Sequence, residues 1–472
     1  MSTDLRPIPS PPLRAHRAAR VAIVGSGIAG LAAARTLQGL ADITLFEAGD
    51  HFGGHTHTVD VTLPDAQGLP TTFGVDTGFL VLNERAYPNL IALLTDLEVP
   101  MARSDMSFSV QVPGAGPGGD ALEWSDSGLS SVFAQRRNMA DPRFLRMLAD
   151  ILRFNRVTSG LATRGEDPRP DSVLWQPLRE FLRAHRFSDA FRDWYLLPML
   201  GGIWSCPTDQ MLEFPVAAML RFCHHHGLLQ VKDRAQWHTV AGGARQYVSK
   251  IVAGIADKRL STPVQQVLRD EEGVRVVTPG HVERFDAIVI ACHSDQALRL
   301  LGAETSANEQ AVLGAVHYQA NRAVLHTDAS VLPQNRRAWA ARNCERAPSA
   351  NAESAQVCLH YLINRLQPLP VAQPVIVSLN PLRDIVPTQV LGEYAYHHPV
   401  FDLDAIHAQT CLPAIQGKKH TWFAGAWTGN GFHEDGLKSG LQAARALIDA
   451  LGLMPAVNPR QTMSAALPGV FA

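Results

Sequence analysis

The chain has 472 residues, 46% of them hydrophobic and 18% charged, enough for a large core and two or three domains. Its formal net charge of −2 speaks against nucleic acid as a partner and against a strong electrostatic hold on a membrane. Its six cysteines (Cys206, Cys223, Cys292, Cys344, Cys358 and Cys411) form no C-x-x-C pair, which speaks against zinc and dithiol redox chemistry and predicts buried, reduced thiols in a cytoplasmic protein.

Residues 1–19, rich in proline and arginine, lack the apolar core of a secretory signal and read as a disordered lead-in. Val21 to Gly30 follows as V-A-I-V-G-S-G-I-A-G, and Leu31 to Leu37 continues as a helix. Strand, G-x-G-x-x-G loop and helix are the parts of a dinucleotide-binding unit. Gly25 permits the tight turn, Gly27 lets backbone approach a pyrophosphate, and Gly30 lets helix pack on strand. Ile28 and Ala29 open the helix, whose N-terminus offers free N–H groups and a positive dipole end to the phosphates. A second strand, Ile43 to Phe46, ends in Glu47, 22 residues after Gly25, where a carboxylate is expected to accept a ribose hydroxyl. Six residues on, Gly53-Gly54 leads into His55 and Thr56. Phe73 to Phe79 reads as a strand and turn, with Asp76 as a capping or turn residue.

From about Pro142 to Gly227 the apolar residues recur at helical spacing, as in Phe144, Met147, Leu148, Ile151 and Leu152. Tyr195 to Trp204 is apolar but short, and Pro198 and Gly201-Gly202 break it, so no run approaches the roughly 18–20 apolar residues of a membrane span. His224-His225-His226 precedes Gly227. Consecutive helical side chains point about 100° apart, so helix C-cap histidines are expected there and no metal site. A helix from Tyr247 to Ile255, strands Pro263 to Val267, Val274 to Val277 and Phe285 to Cys292, and a helix after His293 come next. From Asn308 to Gln409, strand-like segments at Arg322 to His326, Val357 to Ile363 and Val375 to Leu379 predict an antiparallel sheet. Trp422 to Trp427 closes the chain as a strand, followed by a glycine loop and a small-residue helix through Ser439-Gly440.

Three of these features together (the glycine loop with Glu47-x5-Gly-Gly, the G-G turn, helix, V-x-x-V strand and hairpin after Trp237, and the closing A-G loop) resemble the FAD-dependent amine oxidase and phytoene desaturase superfamily. The resemblance covers nearly the whole chain outside its two tails. It implies a glutathione-reductase-like Rossmann FAD domain (α/β) with an inserted α+β substrate domain, a helical cap plus an antiparallel sheet. The expected boundaries are a tail at 1–19, FAD-binding parts at 20–97, 236–307 and 411–453, substrate-domain parts at 98–235 and 308–410, and a tail at 454–472.

For single residues the resemblance implies that Gly53, Gly54, His55 and Thr56 pass close to the pyrophosphate and that Val264 pairs with the adenine edge through its backbone. Gly425 and Ala426 belong to the second FAD motif. His55 stands where the family usually has Arg, and Ala426 where it usually has an acid, with Glu434 expected to take over some polar contacts. Phe432 falls at the aromatic wall over the flavin, His433 next to the ring system as a group that titrates during proton removal, and Tyr396 in a second cluster with Tyr394, His397 and His398. The phrases His224 to Leu229, Asn364 to Gln367 and Gly431 to Gly436 are similar to a bacterial subgroup linked to desaturation of methyl-branched fatty acyl chains. No lysine occurs from 308 to 410, where a true amine oxidase would hold one near the flavin. The expectation is an FAD-dependent desaturase of a hydrophobic, acyl-lipid-like substrate. Flavin amine oxidation and non-catalytic flavin or lipid binding are the alternatives. The expected location is cytoplasmic, with transient contact at the inner-membrane surface left open.

Overall fold

The computed structural model describes residues 18–162, 175–204, 211–216, 219–220, 235–347 and 357–454. Residues 1–17 of the N-terminal lead-in, the triple histidine, Cys206 and Cys223 lie outside them. In chain order the described elements begin β1 (Arg20–Val24), α1 (Ile28–Leu37), β2 (Asp42–Phe46), β3 (Thr58–Pro64), β4 (Pro70–Asp76), β5 (Leu82–Asn83), α2 (Pro88–Asp96), β6 (Met101–Ser104), β7 (Phe108–Val112), β8 (Leu122–Ser125), α3 (Pro142–Ala162) and α4 (Leu197–Trp204). They continue with β9 (Trp237–Val240), α5 (Arg245–Ala253), β10 (Asp257–Arg259), β11 (Gln266–Asp270), β12 (Gly273–Thr278), β13 (His281–Phe285), β14 (Ala287–Ile290), α6 (Ser294–Leu301), β15 (His317–His326), β16 (Arg342–Arg346), β17 (Val357–Leu362), β18 (Ile376–Leu379), β19 (Val390–Val400), β20 (Thr421–Phe423) and α7 (His433–Leu451).

A five-stranded parallel sheet in the order β10-β2-β1-β14-β20 forms the nucleotide unit. Apart from the charged edge strand β10, its strands are short, largely apolar runs because both faces are covered, the pattern of parallel sheets. Val21 and Ile23 of β1 pack into one apolar layer, with α1, α5 and α7, and Ala22 and Val24 into the other, with β11–β13 and α6. The contact of α1 with α7 is close: a Cβ at Gly440 would clash with the Ala29 carbonyl. The small residues of the closing helix are therefore needed for helix–helix approach.

The second large sheet has seven strands in the order β19-β15-β18-β17-β16-β7-β8. It corrects the sequence expectation in two ways. Strands β7 and β8 join it from the substrate-domain part at 98–235, expected to supply the helical cap, and β16 pairs with β7 in parallel, so the sheet is mixed. All five residues of β7 and all four of β8 are buried, so neither strand shows the alternation that marks a half-buried strand. The strand expected at Pro263 begins instead at Gln266, since proline has no N–H to donate to the ladder. β13, between the strands expected at Val274 to Val277 and Phe285 to Cys292, is a further strand that pairs only with β12 in its sheet. Among the described residues no helix is long and apolar enough to cross a membrane. Of the described cysteines, Cys344 and Cys358 are buried, Cys292 is partly buried and Cys411 is exposed.

Candidate active site

A cavity of about 770 Å³ runs between the two large sheets. At one end it meets the loop between β1 and α1. Gly25 has φ +100°, and a Cβ there would stand 2.9 Å from the Ala291 carbonyl; one at Gly30 would clash with the Gly25 carbonyl. A Cβ at Gly27 would meet nothing within 4 Å, because Gly27 faces the open cavity. Ile28 and Ala29 line the cavity beside it, at the end of α1 where N–H groups lack helical partners. Gly54 presses on this loop, since a Cβ there would lie 3.2 Å from Gly27 Cα, and Gly53 N donates to Ser26 Oγ at 3.1 Å. The result is a bare-backbone cradle at a helix N-terminus, the chemistry that receives a pyrophosphate.

Glu47 follows β2 and lines the same end. Its Oε2 accepts from Ser26 N at 2.9 Å and Ser26 Oγ at 2.5 Å, and its Oε1 from Gly49 N at 2.8 Å. The carboxylate is thus braced before any ligand arrives. Val264 reaches the cavity from the turn ahead of β11. Gly425 and Ala426 line it after β20, with Gly425 N donating to Ser439 Oγ at 2.9 Å.

Two expected cofactor residues turn away. Thr56 is buried and does not line the cavity; its Oγ1 pairs with the Tyr247 hydroxyl at 2.5 Å. Glu434 is buried under α2, where its carboxylate accepts from Asn89 N (2.9 Å), Asn89 Nδ2 (2.6 Å) and Leu90 N (3.0 Å). It caps the start of α2 and makes no contact in the cavity, because the unpaired N–H groups of that helix claim it.

Phe432 and His433 stand at the start of α7 and both line the cavity. The loop ahead of them is held by Asp435 Oδ2, which accepts from Asn430 N and Phe432 N, each at 3.1 Å. His433 Nε2 lies 2.6 Å from the Tyr247 hydroxyl. Burial pushes its imidazole down to about 3, which corrects the expectation of a histidine titrating near neutrality. Tyr396 comes from β19; its hydroxyl lies 2.7 Å from Thr77 Oγ1 and 3.2 Å from His57 Nδ1. Burial raises that phenol to about 12. His55 also lines the cavity, with Tyr396 edge-on at 5.1 Å between ring centres.

Sequence reasoning missed Phe79, Tyr247 and His57, which position His433, Thr56 and Tyr396 from elements distant in sequence. Asp76, read as a cap or turn residue, is a cap: both its oxygens accept from Ala244 N ahead of α5 (3.0 and 3.1 Å), and Gln367 Nε2 donates to it at 3.0 Å. The far wall of the cavity comes from the seven-stranded sheet and the loop after it, through Tyr361, Val377, Leu379 and Phe401.

Comparison with known proteins matches residues 28–365 to the family described as flavin containing amine oxidoreductase. A Mycobacterium tuberculosis protein named for flavin-containing monoamine oxidase activity, AofH, is 28% identical over 281 residues, 57% of this chain and 56% of that protein. The chain therefore spans about half the length of the curated relatives it matches. Among solved structures, cyclohexylamine oxidase from Brevibacterium oxydans superposes with TM-score 0.64 at 16% identity, over 92% of this chain and all of that one. A fatty acid isomerase from P. acnes superposes with TM-score 0.60 at 15% identity, over 92% and 98%. Putrescine oxidase bound to putrescine gives 0.63 at 15%, over 91% and 99%. At such identities these superpositions show a shared fold.

Proposed function

Since the chain belongs to the flavin containing amine oxidoreductase family, and so is a flavin-dependent oxidoreductase with FAD as its cofactor, we propose that it desaturates an apolar, fatty-acyl-like substrate. The cradle of Gly25, Gly27, Gly30, Gly53 and Gly54 fits the pyrophosphate of FAD, and Glu47, lining the same end of the cavity, supports a ribose contact there. FAD, when bound, supplies the hydride acceptor.

One observation carries the substrate class. Beyond the nucleotide end, the wall is aromatic and aliphatic: Tyr361, Val377, Leu379, Phe401 and Phe432. Among the described residues lining the cavity, Glu47 is the one carboxylate, and it is already engaged by Ser26 and Gly49. An ammonium substrate would enter this wall without a counter-charge, which is costly in an enclosed site, whereas an acyl chain would gain by burial. Removal of hydride from such a chain also requires a proton to leave. In this reading the Tyr396 hydroxyl takes that proton as it gives its own to His57 Nδ1, 3.2 Å away on a half-buried ring, and His57, lowered to about 4, releases it onward. His433, held neutral, orients through its bond to Tyr247 and carries no charge.

Amine oxidation is the second reading, favoured by the names of the relatives and by the aromatic faces of Tyr396 and Phe432, which suit a neutral amine. Anaerobic mixing decides between them by bleaching of the flavin absorbance. Acyl lipids should bleach it; bleaching by monoamines or polyamines with none by lipids would overturn the proposal. A protein with no flavin absorbance even after reconstitution with FAD would be a non-catalytic binder.

A further inference from the structure

The cradle faces a dianionic pyrophosphate, yet its surroundings are short of fixed positive charge. Position 55 carries an imidazole. Among the described residues lining the cavity, Arg299 is the one side chain with a permanent cation, and its Nη1 is bound to Asp295 Oδ2 at 2.7 Å. Histidines gather instead. His55 follows Gly54, which presses on Gly27. His293 follows Ala291, whose carbonyl abuts Gly25. The two ring centres lie 6.0 Å apart, both on the cavity. His398 lies 5.5 Å from His55, and His397 lies 6.3 Å from His293 toward the exposed rim. All four line the cavity.

We infer that these histidines are the counter-charge of the FAD pyrophosphate and that they take up protons as FAD binds. The inference rests on the cavity being the FAD site. Without ligand, dehydration and repulsion from neighbouring histidines hold three of them neutral: His293 and His398 fall to about 4, and His55 is lowered well below its ordinary value. The other groups facing them do not reverse this. Tyr318 stacks on His293 at 4.3 Å, Tyr396 meets His55 edge-on, and His433 offers His55 no counter-charge. Asp295 favours a charged His293 and Arg299 opposes it. Asn321 Nδ2 donates to His398 Nδ1 at 3.0 Å, leaving Nε2 to carry the proton. Two phosphate charges brought into this enclosed cluster raise the affinity of the nearest imidazoles for protons. Protein and ligand differ here from the pair that a guanidinium would make, which is charged at every pH and takes up no proton.

The sign follows from linkage. A site that gains protons on binding loses affinity as pH rises, by up to about tenfold per pH unit for each proton gained. Calorimetric titration of flavin-stripped protein with FAD, in buffers of different ionisation heat, counts those protons directly. Net uptake near neutral pH is expected, with Kd rising between about pH 6 and 8.5. His55→Arg should bind FAD with most of the uptake gone and a flatter pH dependence. His398→Asn, away from the glycine loop, should lower the uptake while leaving the cradle intact. FAD binding with no proton uptake and a level Kd would overturn the inference and leave the flavin site standing, as would unchanged uptake in both variants. Failure of FAD to bind at any pH would remove the site and the inference together.

Discussion

The imidazole of His433 lies face to face with the ring of Phe79, their centres 3.9 Å apart and their planes 13° from parallel. With Tyr247 bonded to its Nε2, the ring is sandwiched in the cavity wall without a facing carboxylate to stabilise its charge. It bonds Tyr247, which in turn bonds Thr56 just after the Gly53-Gly54 turn, so a positioning role is expected of it. His433→Gln should keep the flavin and leave the pH profile of flavin reduction without a new or missing limb between about pH 5 and 8. Rapid mixing across that range checks it. A limb that vanishes in the variant would return His433 to the role of base.

Tyr396 carries the opposite expectation. Tyr396→Phe keeps the ring against His55 and removes the hydroxyl shared by Thr77 and His57. Flavin reduction should slow by about 10²–10⁴-fold, the usual contribution of a positioned proton-transfer group, with FAD binding unchanged. A full-speed variant would leave proton removal to another group.

Glu434 separates cofactor binding from stability. Glu434→Ala would strip three hydrogen bonds from the start of α2 and leave buried N–H groups unpaired. A loss of about 1–3 kcal/mol in unfolding free energy is expected, with FAD affinity at the parent level. Glu47→Ala should do the reverse, weakening FAD by about 1–3 kcal/mol through the ribose contact and the loosened Ser26. Urea melts of the stripped proteins and FAD titrations of both variants, side by side, test the pair. Equal losses of affinity would place Glu434 back at the cofactor.

These contrasts mark what a one-dimensional reading reaches. The cradle was legible because its constraints are local: a positive φ at Gly25 and close approach at Gly30 and Gly54 admit only glycine, whatever the rest of the chain does. The partners of Glu434 lie 344 and 345 positions away and those of Thr56 lie 191 away, so nothing near either residue signals its use. Strands β7 and β8 were hidden for a related reason. Their sheet partners include β16, more than 200 residues later, and full burial erased the period-two pattern. His433 sits at the expected position, and its neutrality depends on Phe79 and Tyr247, which only the fold brings to it.

The abundance of enclosed histidines predicts how the protein without FAD responds to acid. His57, His293, His326 and His398 are each lowered to about 4 by burial, against an ordinary value near 6.5. Between those limits the unfolded chain binds more protons than the folded one, so stability falls as pH drops below about 6.5. Each well-enclosed ring contributes on the order of 1–3 kcal/mol across the window. Asp76 works the other way: burial raises it to about 6, so its folded carboxyl keeps a proton that the unfolded one releases, and it offsets part of the loss between about pH 6 and 4. The lowered histidines outnumber the raised carboxyls, Asp76 and Asp435, and the net slope should favour higher pH. His326 tests the account away from the cavity: it ends β15 in the seven-stranded sheet, with Nε2 on Ser378 Oγ at 2.7 Å and Nδ1 accepting from Asp328 N at 3.1 Å. His326→Gln should lower stability at pH 7 and flatten the acid slope by about one proton. Urea melts of the flavin-free protein at several pH values measure both quantities, and a parent whose stability is level from about pH 7 to 5 would show that these rings are not held neutral in the fold.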